Sequence, residues 1–489
     1  MPFAFLLSTT SQLSFESSLT SSTHPSLPSA ATSRRSLVRS SLKEHKRLSA
    51  ADQASHLPDL ALVLDEYLKY LISIDVSLSG RPISGEEVDL ALVNEVEVEW
   101  RPTLSTSTLP GRDSDRVKAR GLDFELYFAH HTLALVHSLL ASQSLVSIYA
   151  SVTPTPEERT QLIQNATKRL RAAHSLHAYL GHRSNSSPDG PPLFPPAAVD
   201  ISPGVQSALQ NLAHAELNLL AVLKDDPYPA VVIQSRNKDD REWMFKSPSI
   251  PRVAAQVRRR LCVGAADKAE AALASLRSST AKISKDLIEY CQTVRRTAKA
   301  KACRFAALDA DLSGETGKAI AWLRAAMHEL GIDPPDHHYR STPTAGLKKL
   351  KTSWTEKRED RRLAKAADSG GGSSGGSGWL ADESRILDFL DRKLTKENDT
   401  INVQPVPDWR PLLSTMPTGM HITINDRWLP TPLSEDELIA MRSLPEEAGA
   451  AADHRHFGHN SSDAEDKDEG MERRPAAGAD YATAQSTYY

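Results

Sequence analysis

Apolar residues recur at three- and four-residue spacing through most of this chain, and that period limits its folds more than any other feature. Leu60, Leu64, Leu68, Leu71 and Ile74 form one stripe. Leu126, Leu133, Val136, Leu140 and Leu145 form a second, and Leu162, Ala166, Leu170, Ala173, Leu176 and Leu180 a third. Val205, Leu209, Leu212, Leu219, Leu220 and Leu223 continue the series, and Val253, Val257, Leu261, Ala265 and Leu273 mark a long helix ending near Ser279. A last pair flanks the Ser313-Gly314 turn: Phe305, Leu308 and Leu312, then Ile320, Leu323, Met327 and Leu330, stopped by Gly331, Pro334 and Pro335. Each stripe is the buried face of an amphipathic helix, and a glycine followed by prolines is a helix stop. Strand character is confined to Leu90 to Trp100, where Val96, Val98 and Trp100 alternate with acids. The expected fold class is all-α with little β structure.

The 489 residues exceed the usual size of one core, so two or three domains or one elongated domain are expected. Pro- and Gly-rich loops fall at 101–111, 183–197 and 369–378. From Pro445 to Arg474 nine acids face four bases, and this stretch has too little apolar surface to order itself; a disordered acidic tail is expected there. Between the Gly/Ser run and that tail lies KENDTINVQPVPDWRPLL (Lys396 to Leu413), which alternates apolar and turn residues and is pinned by three prolines. Trp409, Leu412 and Leu413 are expected to pack on the helical core.

Several chemistries are excluded by spacing. In DADLSGETGKAI (Asp309 to Ile320) the twelfth position is Ile320, which cannot supply the bidentate carboxylate of a calcium loop, and the glycines are too close together for a phosphate loop. A helix-turn-helix corner is expected instead. Cys262, Cys291 and Cys303 include no C-x-x-C pair and are expected as buried helix-face thiols of a reducing compartment. His454, His456 and His459 lie in the acidic tail and are expected to be a solvated tract. No nucleophile, metal or cofactor constellation is present, so no enzyme activity, metal or cofactor is expected. DPYPAVV (Asp226 to Val232) has the form of a linear adaptor motif but sits beside a helix end, where a structural turn is expected. The start MPFAFLLSTTSQLSF lacks a basic flank and is expected to be part of the folded protein. No run of about 18 apolar residues occurs, so no membrane-spanning helix is expected. The C-terminal QSTYY offers no prenylation cysteine.

The net charge of -4 gives no global attraction to nucleic acid. Locally, Arg252 to Arg304 carries thirteen Lys and Arg against four Asp and Glu. A solvated face explains this run, as does a contact surface for acidic helices or for anionic membrane in peripheral contact. Nucleic acid is not expected, because no aromatics are interleaved among these bases.

Four blocks in order resemble the BRO-domain family: GLDFELYFAHHTLALVHSLLAS, VDISPGVQSALQNLAHAELNLLAVLKDD, AKACRFAALDADLSGETGKAIAWLRAAMHELG and KENDTINVQPVPD. The second departs from the family pattern at His214 and Leu217. The last lacks the family's tyrosine, with Asn402 in its place, so a phosphorylation role is not carried over. The resemblance implies an elongated BRO domain with a TPR-like helical core over 1–442, a flexible insertion at about 355–378, and a separate tail at 443–489. Within the family, DPYPAVVIQSRNKDDREWMFKSPSIPRV and EVEVEWRPTLS are similar to members that act in fungal ambient-pH (Pal/Rim) signalling. That similarity implies a cytoplasmic, non-enzymatic adaptor recruited to endosomal or plasma-membrane ESCRT sites. It would bind a Snf-seven-type ESCRT-III subunit, meet other Pal/Rim components, and support proteolytic activation of the zinc-finger factor PacC at alkaline pH. A general endosomal, multivesicular-body sorting factor is the alternative.

Matching the family's partner-binding helices onto this sequence places an apolar patch at Leu219, Val253 and Val257, with Arg258, Arg259 and Arg260 beside it to steer an acidic helix. Core positions are the alternative for all three apolar residues.

Overall fold

The computed structural model describes residues 2–105, 114–148, 154–186, 192–234, 248–279, 282–332 and 376–442. These form one compact unit, Met1–Leu444. The helices among the described residues are α1 (Leu27–Arg47), α2 (Ala50–Leu78), α3 (Leu122–Ile148), α4 (Pro156–Ser186), α5 (Pro203–Asp225), α6 (Tyr228–Gln234), α7 (Arg252–Ser278), α8 (Lys285–Asp311), α9 (Thr316–Leu330), α10 (Gly376–Glu397), α11 (Arg410–Leu413) and α12 (Glu435–Arg442). The long helices pack in sequence order from α1 to α5, then α5 on α7, α7 on α8 and α8 on α9, with α10 lying against α8 and α9. Strands are few: β1 (Leu19–Ser21) pairs antiparallel with β2 (Leu90–Leu92), and β3 (Glu97–Trp100) with β4 (Val117–Arg120). The all-α expectation holds, and the strand candidate becomes β2 and β3.

α3 bears on the expectation that no helix spans a membrane. It is long and apolar enough to cross a membrane by length and composition, with a mean hydropathy of 1.2. His130, His131, Thr132, His137 and Ser138 interrupt the strictly apolar run. Its burial is nearly all-round, with apolar residues packed between α2 and α4, as befits a central core helix.

The two ends of the array are each pinned by a buried ion-pair network. In the first, Arg35 of α1 donates from Nε to Glu125 Oε1 at 2.6 Å, Tyr67 of α2 donates to the same oxygen at 2.8 Å, and Trp100 Nε1 donates to Oε2 at 2.6 Å. Arg35 also donates to the Ser11 carbonyl and the Thr10 hydroxyl, which draws the N-terminal segment onto α1. In the second, Arg304 of α8 pairs with Asp226 at 2.5 Å and with Glu383 of α10 at 2.6 Å, and Lys301 reaches Glu383 at 2.7 Å. Asp226 opens the segment with the adaptor-like sequence. Both it and Tyr228 are buried, so that segment is a structural turn into α6.

All three cysteines are buried without disulfides. Burial pushes the Cys262 thiol up to about 12 and raises Cys291 and Cys303 further. Thiol reagents should therefore leave the native protein unmodified at pH 8 and label all three sites only after unfolding. Rapid labelling of the native protein would contradict this packing.

Residues 403–434 form a strap that runs back across the helices. At its start Asn402 donates to Thr316 and Gln404 bonds both Gly314 and Gly317, at the turn between α8 and α9. Trp409, Leu412 and Leu413 pack on the adjoining core, as expected from the sequence. The Met420 amide then donates to the Arg260 carbonyl of α7 at 2.9 Å, and the Ile422 amide to Asn218 of α5 at 3.0 Å. Asp426 pairs with Arg171 of α4, and Trp428 packs on His130 and Tyr179. The Leu433 amide donates to Ser73 of α2 at 2.9 Å, and Arg442 pairs with Glu86 at 2.8 Å. Glycines are required where the strap lies closest: a methyl group on Gly264 or Gly317 would overlap the carbonyl of Met420 or Pro405.

The helix-turn-helix corner falls at 312–315 as expected. Of the expected flexible insertion at 355–378, residues 376–378 open α10 and the rest lies outside the described residues, as do the acidic tail and its three histidines.

Candidate functional site

A groove of about 620 Å³ opens between α4, α5 and the strap. Its shape follows from the helical period. On α5, Leu217, Leu220, Ala221 and Lys224 succeed one another at three- and four-residue spacing and so line one face; on α4, Ile163, Thr167, Lys168 and Arg171 do the same. The strap closes the third side with Ile422 and Asp426. Ile163, Leu217 and Leu220 are buried at its floor, while the ammonium-bearing Lys168 and Lys224 are exposed at its rim. Arg171 is half-buried and pairs with Asp426 at 3.2 Å. The result is an apolar trough with a cationic rim and one intramolecular acid at its mouth.

Such a trough can take an amphipathic helix that carries acids beside its apolar face. Charge at the rim sets orientation and encounter rate, and the apolar floor supplies most of the contact energy.

The sequence-expected patch is divided by the structure. Val253 and Val257 are 72% and 42% exposed on the first two turns of α7, one turn apart. Leu219 is 3% exposed and packs in the central core on the side of α5 that faces Trp379. Its neighbour Leu220, 100° further round the helix, is the residue that lines the groove. Leu219 is therefore corrected from patch to core.

Two of the three neighbouring arginines have structural roles. Arg259 lies 3.8 Å from Asp309, an acid it shares with Arg252, and Arg260 holds the strap through its own carbonyl and a 3.4 Å contact to Thr418. Arg258 is half-buried. The wider basic run is likewise partly neutralised, since Arg295 pairs with Glu270 and both Lys301 and Arg304 belong to the buried network. What sequence reasoning missed is the α4 side: Lys168 and Arg171 lie three apart beside a buried stripe, a pattern that marks a basic helix edge but does not say that a groove adjoins it.

No family model matches the chain. It is 38% identical over 474 residues to the pH-response regulator protein palC of Emericella nidulans, covering 91% of this chain and 93% of that protein. The crystal structure of ALIX in complex with the SIVmac239 PYKEVTEDL late domain superposes with a TM-score of 0.51 and 15% identity; the match covers 89% of this chain and 49% of ALIX, so the chain spans about half the length of that structure. The ALIX BRO1 CHMP4C complex matches with a TM-score of 0.48 and 16% identity over 89% of this chain and 96% of that one. By the superposition on ALIX at a TM-score of 0.51, the arrangement of helices and strap is the BRO-domain fold. Identity of this level along nine-tenths of both sequences goes further than fold, and the chain belongs to the palC family of pH-response regulators.

Proposed function

We propose that this protein is a non-enzymatic adaptor of ambient-pH signalling that captures an acidic amphipathic helix of a Snf-seven-type ESCRT-III subunit in the groove between α4, α5 and the strap. Capture would bring it to endosomal or plasma-membrane ESCRT sites from the cytoplasm, where with other Pal/Rim components it supports proteolytic activation of PacC at alkaline pH. The domain that performs this is residues 1–442, with 443–489 as an appended tail.

The single observation that supports this reading best is the groove itself, apolar in its floor and cationic at its rim, on a member of a pH-response regulator family. The ALIX BRO1 domain forms a complex with CHMP4C. The buried carboxylates and thiols favour an adaptor over a catalyst, because Glu125, Asp226 and Glu383 are engaged by arginines and the cysteines are sequestered in the core. Val253 and Val257 offer a second apolar contact on α7.

Lys168→Glu combined with Lys224→Glu should weaken pull-down of an ESCRT-III C-terminal helix by about tenfold or more, with no change in melting temperature, since both side chains are exposed. Wild-type binding should also weaken as salt is raised from 50 to 300 mM, because rim charges act through a screened field. Val257→Asp tests the α7 contact in the same assay. Undiminished binding by the double lysine variant would overturn the groove assignment.

A further inference from the structure

We propose that His174, His214 and His421 form an acid-labile latch that holds the strap in place as the third wall of the groove, so that the groove is complete at neutral and alkaline pH and loses that wall on mild acidification. The functional meaning rests on the groove being the partner site. The latch itself is a property of the fold.

The three imidazoles come from the three walls: His174 from α4, His214 from α5 and His421 from the strap. The rings of His174 and His214 meet edge to face at 5.5 Å, and those of His214 and His421 at 5.4 Å. His421 directly precedes Ile422, the apolar residue the strap contributes to the groove. The Ile422 amide donates to Asn218 Oδ1 at 3.0 Å, the Asn218 amide nitrogen lies 3.3 Å from His421 Nδ1, and the His214 ring is in reach of the Ile422 backbone. The stack and the strap's attachment to α5 are therefore one structure.

The stack accepts neutral rings and disfavours charged ones. His174 is 9% exposed, and neither its Nδ1 nor His214 Nε2 has a hydrogen-bond partner among the described residues. The facing charges do not compensate. Lys268 of α7 acts against protonation of all three rings, and His177 of α4 acts against that of His174. Asp426 favours a charged His174 and Asp267 a charged His421, in both cases more weakly than burial opposes it. Burial first, then these neighbours, holds His174 and His214 at about 4 and His421 below its ordinary value.

A released ring returns to about 6.5. The docked strap thus binds fewer protons than the released one, so the latch has its full strength above pH 6.5 and loses it as pH falls toward 4. Between pH 7.5 and 6.0 the opening constant should rise about tenfold if His174 and His214 are freed, and further where His421 is freed with them.

Hydrogen exchange of the Met420 and Ile422 amides in the full chain reads this opening with no partner present, after correction for the intrinsic pH dependence of exchange. A failure here is thus separable from a failure of the partner assignment. The wild type should open about tenfold or more readily at pH 6.0 than at 7.5, and His214→Gln with His421→Gln should reduce that slope to the share of His174 alone, about fourfold or less. A flat wild-type profile, or an unchanged slope in the double variant, would overturn the latch. If the double variant fails to dock its strap at pH 7.5, side-chain titration of wild-type His214 decides. A midpoint well below 6.5 with strap amides that lose protection in step supports the latch. A midpoint near 6.5 with protection unchanged overturns it.

Discussion

Replacing Glu125 with alanine should lower the stability of the domain by about 3 to 5 kcal/mol, the range expected when one partner of a buried ion pair is removed. Arg35 is 1% exposed and would keep its charge with no carboxylate opposite it. Tyr67 and Trp100, both buried, would lose the acceptor of their hydroxyl and indole N–H. Each buried orphan donor costs about 1 to 3 kcal/mol, though the three losses share one cavity and will not add. Three controls give the effect its cause. Glu125→Gln keeps the shape and one acceptor, so it should lose less. Arg35→Met combined with Glu125→Leu removes both charges and should recover much of the loss. Glu97→Ala, at a solvent-screened surface ion pair with Lys118, should leave stability almost unchanged. Urea unfolding followed by far-UV circular dichroism measures all four. A loss below 1 kcal/mol for Glu125→Ala would mean that Arg35 finds solvent in the folded state.

The same residues explain what could be read from the sequence. The stripes of α2, α4, α5 and α7 to α9 were legible because one side of each helix is apolar and the other is not, and α3 was legible from the density of its apolar residues. α1 was missed since Arg35 sits in the middle of its buried face, between Ala31 and Val38, and a charged residue breaks the stripe that a purely apolar count looks for. Its justification is Glu125, ninety residues away, which no local pattern reveals. α10 was missed for a different reason: it follows directly on the Gly/Ser run, yet Ile386, Leu387, Leu390 and Leu394 are buried at helical spacing. At the site, helical period showed which α5 residues share a face but not which of two adjacent leucines meets solvent. Leu219 and Leu220 are both buried; only the position of α4 and the strap decides that Leu220 lines the groove. The strap was legible as a resemblance, while its route was not, because contacts such as Leu433 to Ser73 join positions 360 apart.

Ending the chain after Asn402, which deletes the strap and α12, should leave a domain that no longer unfolds as one cooperative unit and that aggregates at micromolar concentration. Leu433 and Leu438 are fully buried in the core formed by α1 to α3, and such side chains contribute about 1.5 to 3 kcal/mol each. Ile422, Ile424, Met420 and Trp428 add partly buried area on the neighbouring cores. The sum is a large share of the 5 to 15 kcal/mol by which domains are typically stable. Removing the strap also uncovers apolar surface along several helices at once, the kind of contiguous patch that drives association. The loss should not be confined to the end of the chain. Because Leu433 and Leu438 sit on α1 and α2 while Met420 sits on α7, amide exchange should accelerate in the first helices as well as in the last. Leu433→Ala isolates the far anchor and should cost about 2 to 5 kcal/mol by cavity formation alone. Ending the chain at Arg442 keeps every strap contact and should leave the unfolding midpoint where it is. If the Asn402 truncation stayed soluble with an unchanged midpoint, the helical array would be self-sufficient, and the groove would lose a wall without the domain losing its fold.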